Sequence, residues 1–222
     1  LENLSEDDKA IEFANKAVEV NKELGKATFL ANAYQVLSNI YSRRNNKEKA
    51  LEYAMLNLKV NEESGSENLG KSYTILGSLY QDIDILKSLE YLNKAVDFFK
   101  KHNQVQLLGN AYHTIGSVYE KSQQIDKALE FYNRSLGISE KLNDKWTTFA
   151  NYLGLEGAYF ESKDYKLSLG FRNKFETLSK ELGKEEELGL VYGAIGNRYQ
   201  DIDKSEAEKY FTDFPSALNL AI

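Results

Sequence analysis

The chain has 222 residues, 28% charged and 42% hydrophobic, and a net charge of −6. With 28 basic against 34 acidic residues and no basic cluster, this balance argues against a non-specific nucleic-acid binder, which needs grouped lysine and arginine. The absence of cysteine excludes disulfides, thiol catalysis and thiolate metal sites, but it leaves the compartment open.

The N-terminal stretch predicts one helix over residues 5–24. Its apolar pattern runs from Ala10 to Val20, and Ser5 precedes acidic residues, as an N-cap precedes a first turn that favours the helix dipole. The polar, acidic start does not resemble a signal peptide, and this slightly favours the cytoplasm as the compartment. No segment is apolar enough to predict membrane insertion. The chain begins without Met and inside a repeat, so we expect a fragment of a larger protein, with targeting signals that could lie outside it.

The stretch 109–136 contains the unit from which the rest is built. Tyr112, Ile115, Gly116 and Tyr119 fall on one side of a helix, and after a polar break a second helix follows, marked by Ala128, Phe131, Tyr132, Ser135 and Leu136. Two amphipathic helices joined by a short turn predict a hairpin. Its small residues are expected where the two backbones cross closely, and its tyrosines are expected to fill the wedge between hairpins.

This unit recurs along the chain with steps of 39 or 40 residues. Its first tyrosine stands at Tyr34, Tyr73, Tyr112, Tyr152 and Tyr192, and its second at Tyr41, Tyr80, Tyr119, Tyr159 and Tyr199. The small residue of the second helix recurs at Ala10, Ala50, Ser88, Ala128, Ser168 and Ala207. Residues that tolerate the left-handed conformation after a helix stand at Gly25, Gly65, Asn103, Asn143 and Gly183. These regularly spaced residues predict one solenoid of stacked hairpins, with repeats over 28–64, 68–101, 105–142, 145–182 and 186–212.

The motif Tyr73, Leu76, Gly77, Tyr80, followed by Ser88, Leu92 and Ala95, resembles the tetratricopeptide repeat. The resemblance covers nearly the whole chain, and the period exceeds the about 34 residues typical of that family, as in its longer-repeat branch. It implies an all-α fold, a right-handed superhelix of helical hairpins. HEAT and armadillo repeats share the period but lack the aromatic, Leu-Gly, Tyr signature.

Repeat four departs most from the pattern. Glu156 stands where other repeats have Gly77, Gly116 and Gly196, and Arg172 replaces the aromatic residue of the second helix. A carboxylate at a close helix crossing is costly unless it reaches solvent or a cation. Either the crossing is wider here, or Glu156 forms an ion pair, for which we predict Arg172 as the partner.

The C-terminal residues 213–222 form a tail after repeat five. Pro215 favours a turn there, and the apolar SALNLAI could begin another helix, cap the array or lie in a groove. The leading helix lacks a first helix of its own in this sequence, so we expect its exposed flank either to be covered by upstream sequence of the larger protein or to be a cap in its own right. Either this flank or the apolar tail could also support self-association.

The tetratricopeptide resemblance implies that first helices line a concave face that binds partners. Side chains expected there are amides, hydroxyls and cations in repeats one to three, and apolar groups in repeat four and at the start of repeat five. They are Asn32, Gln35, Asn39, Arg43, Lys71, Thr74, Ser78, Asn110, His113, Ser117, Lys121, Leu153, Phe160, Leu190 and Asn197. The alternative is that these residues are ordinary solvent-facing side chains and another surface binds.

Catalytic chemistry has little support in the sequence. His102 lies at a helix end and His113 has no carboxylate or second histidine at ligand spacing, while the acidic pairs in turns lack the ligand series of a calcium loop. We therefore expect no catalytic residue, metal or cofactor. The leading hypothesis is a protein- or peptide-binding scaffold from a larger bacterial regulator. The alternatives are the sensory module of a peptide-responsive regulator and a structural self-association module.

Overall fold

The computed structural model describes residues 6–183. Within this range the chain folds into nine helices joined by short turns, with no strand. They are α1 Glu6–Glu23, α2 Ala27–Arg43, α3 Lys47–Glu63, α4 Leu69–Tyr80, α5 Ile85–Lys101, α6 Val105–Lys121, α7 Ile125–Lys141, α8 Lys145–Glu161 and α9 Tyr165–Glu181. The predicted all-α class of helical hairpins is confirmed. The prediction of repeat five at 186–212 and of the tail at 213–222 lies outside the described residues, as does the N-cap Ser5.

The described residues fall into two compact units. Unit one contains α1 to α6 and ends at Gln123, and unit two begins at Gln124 and contains α7 to α9. Helices α2 and α3 occupy predicted repeat one, α4 and α5 repeat two, and α8 and α9 repeat four, while the unit boundary falls in the turn of repeat three. A single array remains a prediction. None of the helices in residues 6–183 is long and apolar enough to cross a membrane.

Short turn residues fix where each helix ends and the next begins. Every predicted helix-end residue, from Gly25 to Gly183, has a positive φ, between 53° and 65°, which allows the chain to reverse within three residues. After α5, for example, the N–H of Asn103 donates to the carbonyl of Lys100 at 3.3 Å and that of Gln104 to Phe99 at 2.9 Å. Four following helices are N-capped by side chains that accept a backbone N–H: those of Asn46, Asp84, Asp144 and Asp164.

Small residues allow the two helices of a hairpin to cross closely, as predicted. A Cβ added to Gly77 would stand 2.5 Å from Cγ of Leu92 and 3.2 Å from the carbonyl oxygen of Ser88. The Ser88 hydroxyl donates to the Gly77 carbonyl at 2.7 Å. In the hairpin of α2 and α3, Ser38 takes the position of Gly77 and donates to the Ala50 carbonyl at 2.8 Å. The crossing at Gly77 therefore has no room for a side chain, and serine hydroxyls hydrogen-bond to backbone carbonyls at both crossings.

Aromatic rings lie beside each crossing and stack within one hairpin. Tyr41 stacks on Tyr53 with ring centroids 5.6 Å apart, and Tyr80 stacks on Tyr91 at 5.7 Å. Tyr159 and Phe171 repeat the contact in unit two at 5.5 Å. The sequence predicted that tyrosines fill the wedge between hairpins, but these contacts join the first helix to the second helix of the same hairpin. Offset stacks of this kind contribute about 0.5–1.5 kcal/mol beyond the area they bury.

Buried polar side chains connect one hairpin to the next. In unit one the Ser72 hydroxyl of α4 donates to Oδ1 of Asn57 at 2.6 Å, and Nδ2 of Asn61 donates to Ser72 at 2.8 Å. In unit two Nδ2 of Asn151 donates to the Ser135 hydroxyl at 2.9 Å. A buried polar group is costly unless it is paired, so these hydrogen bonds favour one register between α3 and α4 and between α7 and α8.

The prediction that Glu156 forms an ion pair with Arg172 was wrong. Glu156 is 1% exposed and accepts a hydrogen bond from the Ser168 hydroxyl at 3.4 Å. Arg172, 5% exposed, lies with its Nε 3.5 Å from Oε1 of Glu176, which is one turn further along α9. No Glu156–Arg172 ion pair forms within the described residues. The crossing itself supplies the donor, because Ser168 occupies the place from which Ser88 reaches a backbone carbonyl in repeat two.

We predict that Gly154→Ala destabilises unit two by about 1–3 kcal/mol, the usual effect of overpacking. A Cβ at Gly154 would stand 2.6 Å from Cζ of Tyr132, a ring that is itself buried and cannot move aside. Urea unfolding followed by fluorescence of Trp146, the single tryptophan of the chain, measures the change within the same helix.

Gly137→Ala in α7 is the matched control. Gly137 has no atom within 4 Å of an added Cβ, so the substitution should stabilise the helix by about 0.5–1 kcal/mol through lower backbone entropy in the unfolded chain. Equal effects of the two substitutions would contradict the close approach of α8 and Tyr132.

Candidate functional site

The first helices of unit one present a polar surface on the side away from the stacked rings. We call this surface the first-helix face, and its exposed members are Asn32, Asn39 and Arg43 of α2, Lys71 and Ser78 of α4, and Asn110 and Lys121 of α6. Gln35, Thr74, His113 and Ser117, also predicted there, are half-buried. Their positions repeat because the helix period is kept from one first helix to the next. The predicted residues are thus accessible, and their role in binding stays a prediction.

One hydrogen bond joins two levels of this face directly. Nε2 of Gln81, at the end of α4, donates to the Ser117 hydroxyl of α6 at 2.8 Å. The Thr74 hydroxyl is already used within its own helix, since it donates to the carbonyl of Gly70 at 3.0 Å. The face therefore combines fixed polar groups with the exposed amides of Asn32 and Asn39.

Ion pairs between successive turns occupy most of the cations on this face. Asp82 accepts from Lys121 at 2.7 Å and from Lys47 at 3.4 Å, and Asp7 accepts from Arg43 at 2.8 Å. The Lys121 ammonium, which donates to the carboxylate, lowers the pKa of Asp82, and Lys47 contributes less. Lys71 carries no ion pair in the described part of the chain. An acidic ligand group would therefore meet Lys71 more readily than Arg43 or Lys121.

Sequence reasoning did not anticipate this network. Its signal was present, however, because the charges that pair stand in equivalent turns about one repeat apart, as Lys47 and Asp82 do with a spacing of 35 and Asp82 and Lys121 with a spacing of 39.

The apolar residues predicted at the binding surface in repeat four are only partly exposed to solvent. Leu153 and Phe160 are half-buried in α8, and the Phe160 ring packs edge-on against Tyr165 with centroids 5.5 Å apart. They belong to unit two, so they are described apart from the first-helix face. The predicted residues Leu190 and Asn197 lie outside the described residues.

Unit two contains a cleft of about 480 Å³ that the sequence did not indicate. It lies between the ends of α7 and α9 and the start of α8, and its walls include Thr148, Tyr152 and Leu178. The Tyr152 hydroxyl donates to Glu140 at 3.3 Å, and Lys145 pairs with Glu181 at 3.2 Å across the opening. Burial, followed by the nearby Glu140 carboxylate, raises the pKa of Tyr152. The sequence did not predict the cleft, because its pattern assigned Tyr152 to packing alone.

Within residues 6–183 His102 has a structural role at the end of a helix. Nδ1 of His102 lies 2.8 Å from the Phe98 carbonyl and its ring stacks on Phe98, so this histidine closes the end of α5. No group of three or more metal-ligating side chains occurs in the described part. The chemistry that the described surface supports is hydrogen bonding and ion pairing.

Two stretches of the chain match the family model of the tetratricopeptide repeat, residues 31–63 and 109–142. The first covers most of α2 and all of α3, and the second covers most of α6 and all of α7. Solved helical-hairpin structures superpose on most of the chain as well. Both matched stretches are tetratricopeptide repeats.

Several known proteins resemble this chain. Response regulator aspartate phosphatase A of Bacillus subtilis (strain 168) is 29% identical over 145 residues, which are 64% of this chain and 33% of that protein. A Rap protein complexed with Competence and Sporulation Factor has a TM-score of 0.75 at 15% identity, covering 93% of this chain and 58% of that one. BtubC (BKLC) from P. vanneervenii has a TM-score of 0.71 at 20% identity, covering 81% and 75%.

These likenesses differ in what they establish. At 15% and 20% identity the two solved structures show the fold alone. The chain spans about a third of the length of the curated relative it matches. The tetratricopeptide fold is therefore established, and the activity of the longer relatives is not transferred by it.

We predict that Lys121→Met raises the pKa of Asp82 towards its ordinary value and that Lys47→Met raises it less, because Lys121 makes the shorter contact. A lowered folded-state pKa stabilises the fold above the unfolded-state pKa, and this contribution is lost as the pH falls through the folded-state pKa. Carboxyl carbon NMR titration at low salt measures both variants.

The same titration in about 1 M salt is the control, since the Debye length falls to about 3 Å there and the difference between the variants should shrink. An Asp82 pKa that does not respond to either lysine would contradict the ion-pair network.

Proposed function

We propose that this chain is a protein- or peptide-binding module whose first-helix face holds an extended segment of its partner. The observation that carries the proposal is a row of polar residues at one position of three successive first helices: Asn39, Ser78 and Ser117. The first two are exposed, and the third is held by Gln81. An extended peptide repeats its carbonyl and N–H groups along its length, so a row of small amides and hydroxyls on rigid helices can pair with them.

Rigidity is the reason that such a face suits binding. The rings and buried asparagines behind it fix the helices, so few degrees of freedom are lost from the protein when a ligand is bound. The neutralised cations add a second property, because a face with internal ion pairs should bind backbone amides in preference to strongly acidic segments. Lys71 is the exception, because its ammonium group could donate to a carboxylate of the ligand.

The relatives support the same class of function. A Rap protein was solved in complex with Competence and Sporulation Factor, and another relative is a response regulator aspartate phosphatase. This similarity favours, as a second candidate, the sensory module of a peptide-responsive regulator of bacterial origin. In that case a bound peptide would stabilise one arrangement of the hairpins over another. On either candidate we propose that the described chain binds and does not itself catalyse a reaction.

We predict that the double substitution Asn39→Ala and Ser78→Ala weakens peptide binding by about 30-fold, since two hydrogen bonds of about 1 kcal/mol each are lost. The probe is an immobilised library of extended octapeptides, with Competence and Sporulation Factor added as a separate peptide. The full chain is labelled and its binding to the positive members is measured by interferometry.

Asn93→Ala on α5 is the matched control, because Asn93 is an exposed asparagine on a second helix. It should leave every affinity unchanged, and far-UV circular dichroism should show equal helicity for all variants. Library members that bind equally well to the double variant would overturn the assignment to the first-helix face.

A further inference from the structure

The cleft of unit two contains two opposite charges that lie beside one ring and do not pair. Glu140 accepts a hydrogen bond from the Tyr152 hydroxyl at 3.3 Å, and Nζ of Lys174 lies 5.7 Å from the centre of the same ring. Both charged residues line the cleft, and neither forms an ion pair within residues 6–183. An anion and a cation therefore flank one phenol ring without neutralising each other.

The equivalent place in unit one shows a different arrangement of the same charges. There the Tyr73 hydroxyl donates to Glu62, also at 3.3 Å. Lys94 of α5 stands at the position that Lys174 has in α9, six residues after the small residue of the helix. Lys94, however, pairs with Glu90, one turn earlier in its own helix, at 2.6 Å. In unit one the cation is thus already neutralised.

A glycine in α9 removes the corresponding partner of Lys174. Gly170 stands where α5 has Glu90 and α7 has Glu130. Glu130 also pairs with the cation four residues later, Arg134. An added Cβ at Gly170 would meet no atom within 4 Å, so packing does not require a glycine there, and glycine weakens a helix interior. This substitution leaves the Lys174 ammonium available to a ligand.

A second substitution makes room between the helices. The position of Thr148 is leucine in each of the three preceding repeats, at Leu30, Leu69 and Leu108. Two of these leucines, in repeats one and two, pack against apolar clusters. Thr148 is shorter and lines the cleft together with the buried Leu178. The resulting volume of about 480 Å³ lies in the range of about 300–1,000 Å³ that is usual for small-molecule sites.

The cleft does not lie on the surface where a following hairpin packs. In α3 the contacts with the next hairpin are made by Asn57 and Asn61, through Ser72. The corresponding residues of α9 are Phe175 and Ser179, and neither lines the cleft. The described walls of the cleft belong to α7, α8, α9 and the turn between α7 and α8. The open space is therefore formed by elements that the structure describes.

We propose that this cleft binds a free apolar α-amino acid. The ammonium group of the ligand donates to Glu140, its carboxylate accepts from Lys174, and its side chain lies against Leu178. The other two charges of the cleft, Lys145 and Glu181, pair with each other at 3.2 Å and need no ligand group. This site belongs to unit two and is independent of the first-helix face.

The zwitterion follows from the two charges that the cleft leaves unpaired. A ligand with a single charge neutralises one protein group and leaves the other without a partner, whereas a zwitterion pairs with both. Both protein groups lie beside one ring, so the two charges of the ligand have to be close together, as they are on either side of a single α-carbon. In a peptide they stand at opposite ends of the chain.

Isothermal titration calorimetry of the full chain with free leucine, isoleucine, valine, methionine and phenylalanine tests the proposal. At least one of them should bind saturably. Its amide, which lacks the carboxylate, and its deaminated acid, which lacks the ammonium group, should each bind about tenfold more weakly or worse, as expected for one lost charged hydrogen bond.

Three results with these ligands would overturn the proposal. The first is that none of the five amino acids binds. The second is that the amide or the deaminated acid binds as well as the amino acid. The third is that a dipeptide of the same residue binds more tightly than the free amino acid, which would identify the end of a peptide as the ligand.

Gly170→Glu provides an independent arm, because it restores the intrahelical pair of the other repeats without altering the walls of the cleft. It should capture Lys174, as Glu90 captures Lys94, and weaken binding about tenfold or more. Gly170→Gln is the matched control, since it adds the same bulk without the charge and should leave the affinity unchanged. An equal loss in both variants would show a steric effect and would overturn the role of Lys174.

Thr148→Leu tests the space instead of the charge. Leucine at this position should fill the cleft as in the other repeats and abolish binding of the amino acid. Far-UV circular dichroism should show the same helicity as for the unaltered chain. Undiminished binding by a folded Thr148→Leu variant would place the ligand elsewhere and overturn the proposal.

Discussion

The close crossing of two helices at a small residue is the contact on which this structure depends. At Gly77 no side chain larger than hydrogen fits between α4 and Leu92 of α5. The Ser88 hydroxyl of α5 donates a hydrogen bond to the Gly77 carbonyl across the crossing. Because the axes meet there, the rings on either side are brought into stacking distance, as with Tyr80 and Tyr91. Fixed crossings give each hairpin the same geometry, and equal geometry allows the hairpins to repeat.

Repeat four shows how far this contact tolerates change. Glu156 brings a carboxylate into the crossing and remains fully buried, with Ser168 as a donor. The adjustment uses the hydroxyl of Ser168, which stands at a position that is Ser or Ala in every repeat. Arg172 is buried separately and lies against Glu176 of its own helix. The two departures from the pattern coincide in sequence but do not pair with each other: Glu156 accepts from Ser168, and Arg172 lies near Glu176 while its buried Nε has no hydrogen-bond partner.

Different residues specify the packed interior of a hairpin and its outer surfaces. Small and aromatic residues specify the hairpin, so the outward positions of the first helices are not constrained by packing and can carry Asn39 or Ser78. Charges at the turns form another layer, in which Asp82 joins two neighbouring hairpins through Lys47 and Lys121. Helix α1 has the residue pattern of a second helix, and its Phe13 is exposed in the described structure.

The sequence by itself determined the helices, their ends and the hairpin class, because period, small residues and left-handed turn residues act over a few positions and recur in register. It also placed Asn32, Asn39, Lys71 and Ser78 on an accessible side, since the helix period alone fixes that direction. Only the tertiary structure decided which groups meet: the pairing of Arg43 with Asp7, the turn of Tyr152 towards Glu140, and the separate partners of Glu156 and Arg172. These contacts depend on the separation and rotation of helices that are distant in sequence, and ångström differences there decide whether a side chain faces a neighbour or water.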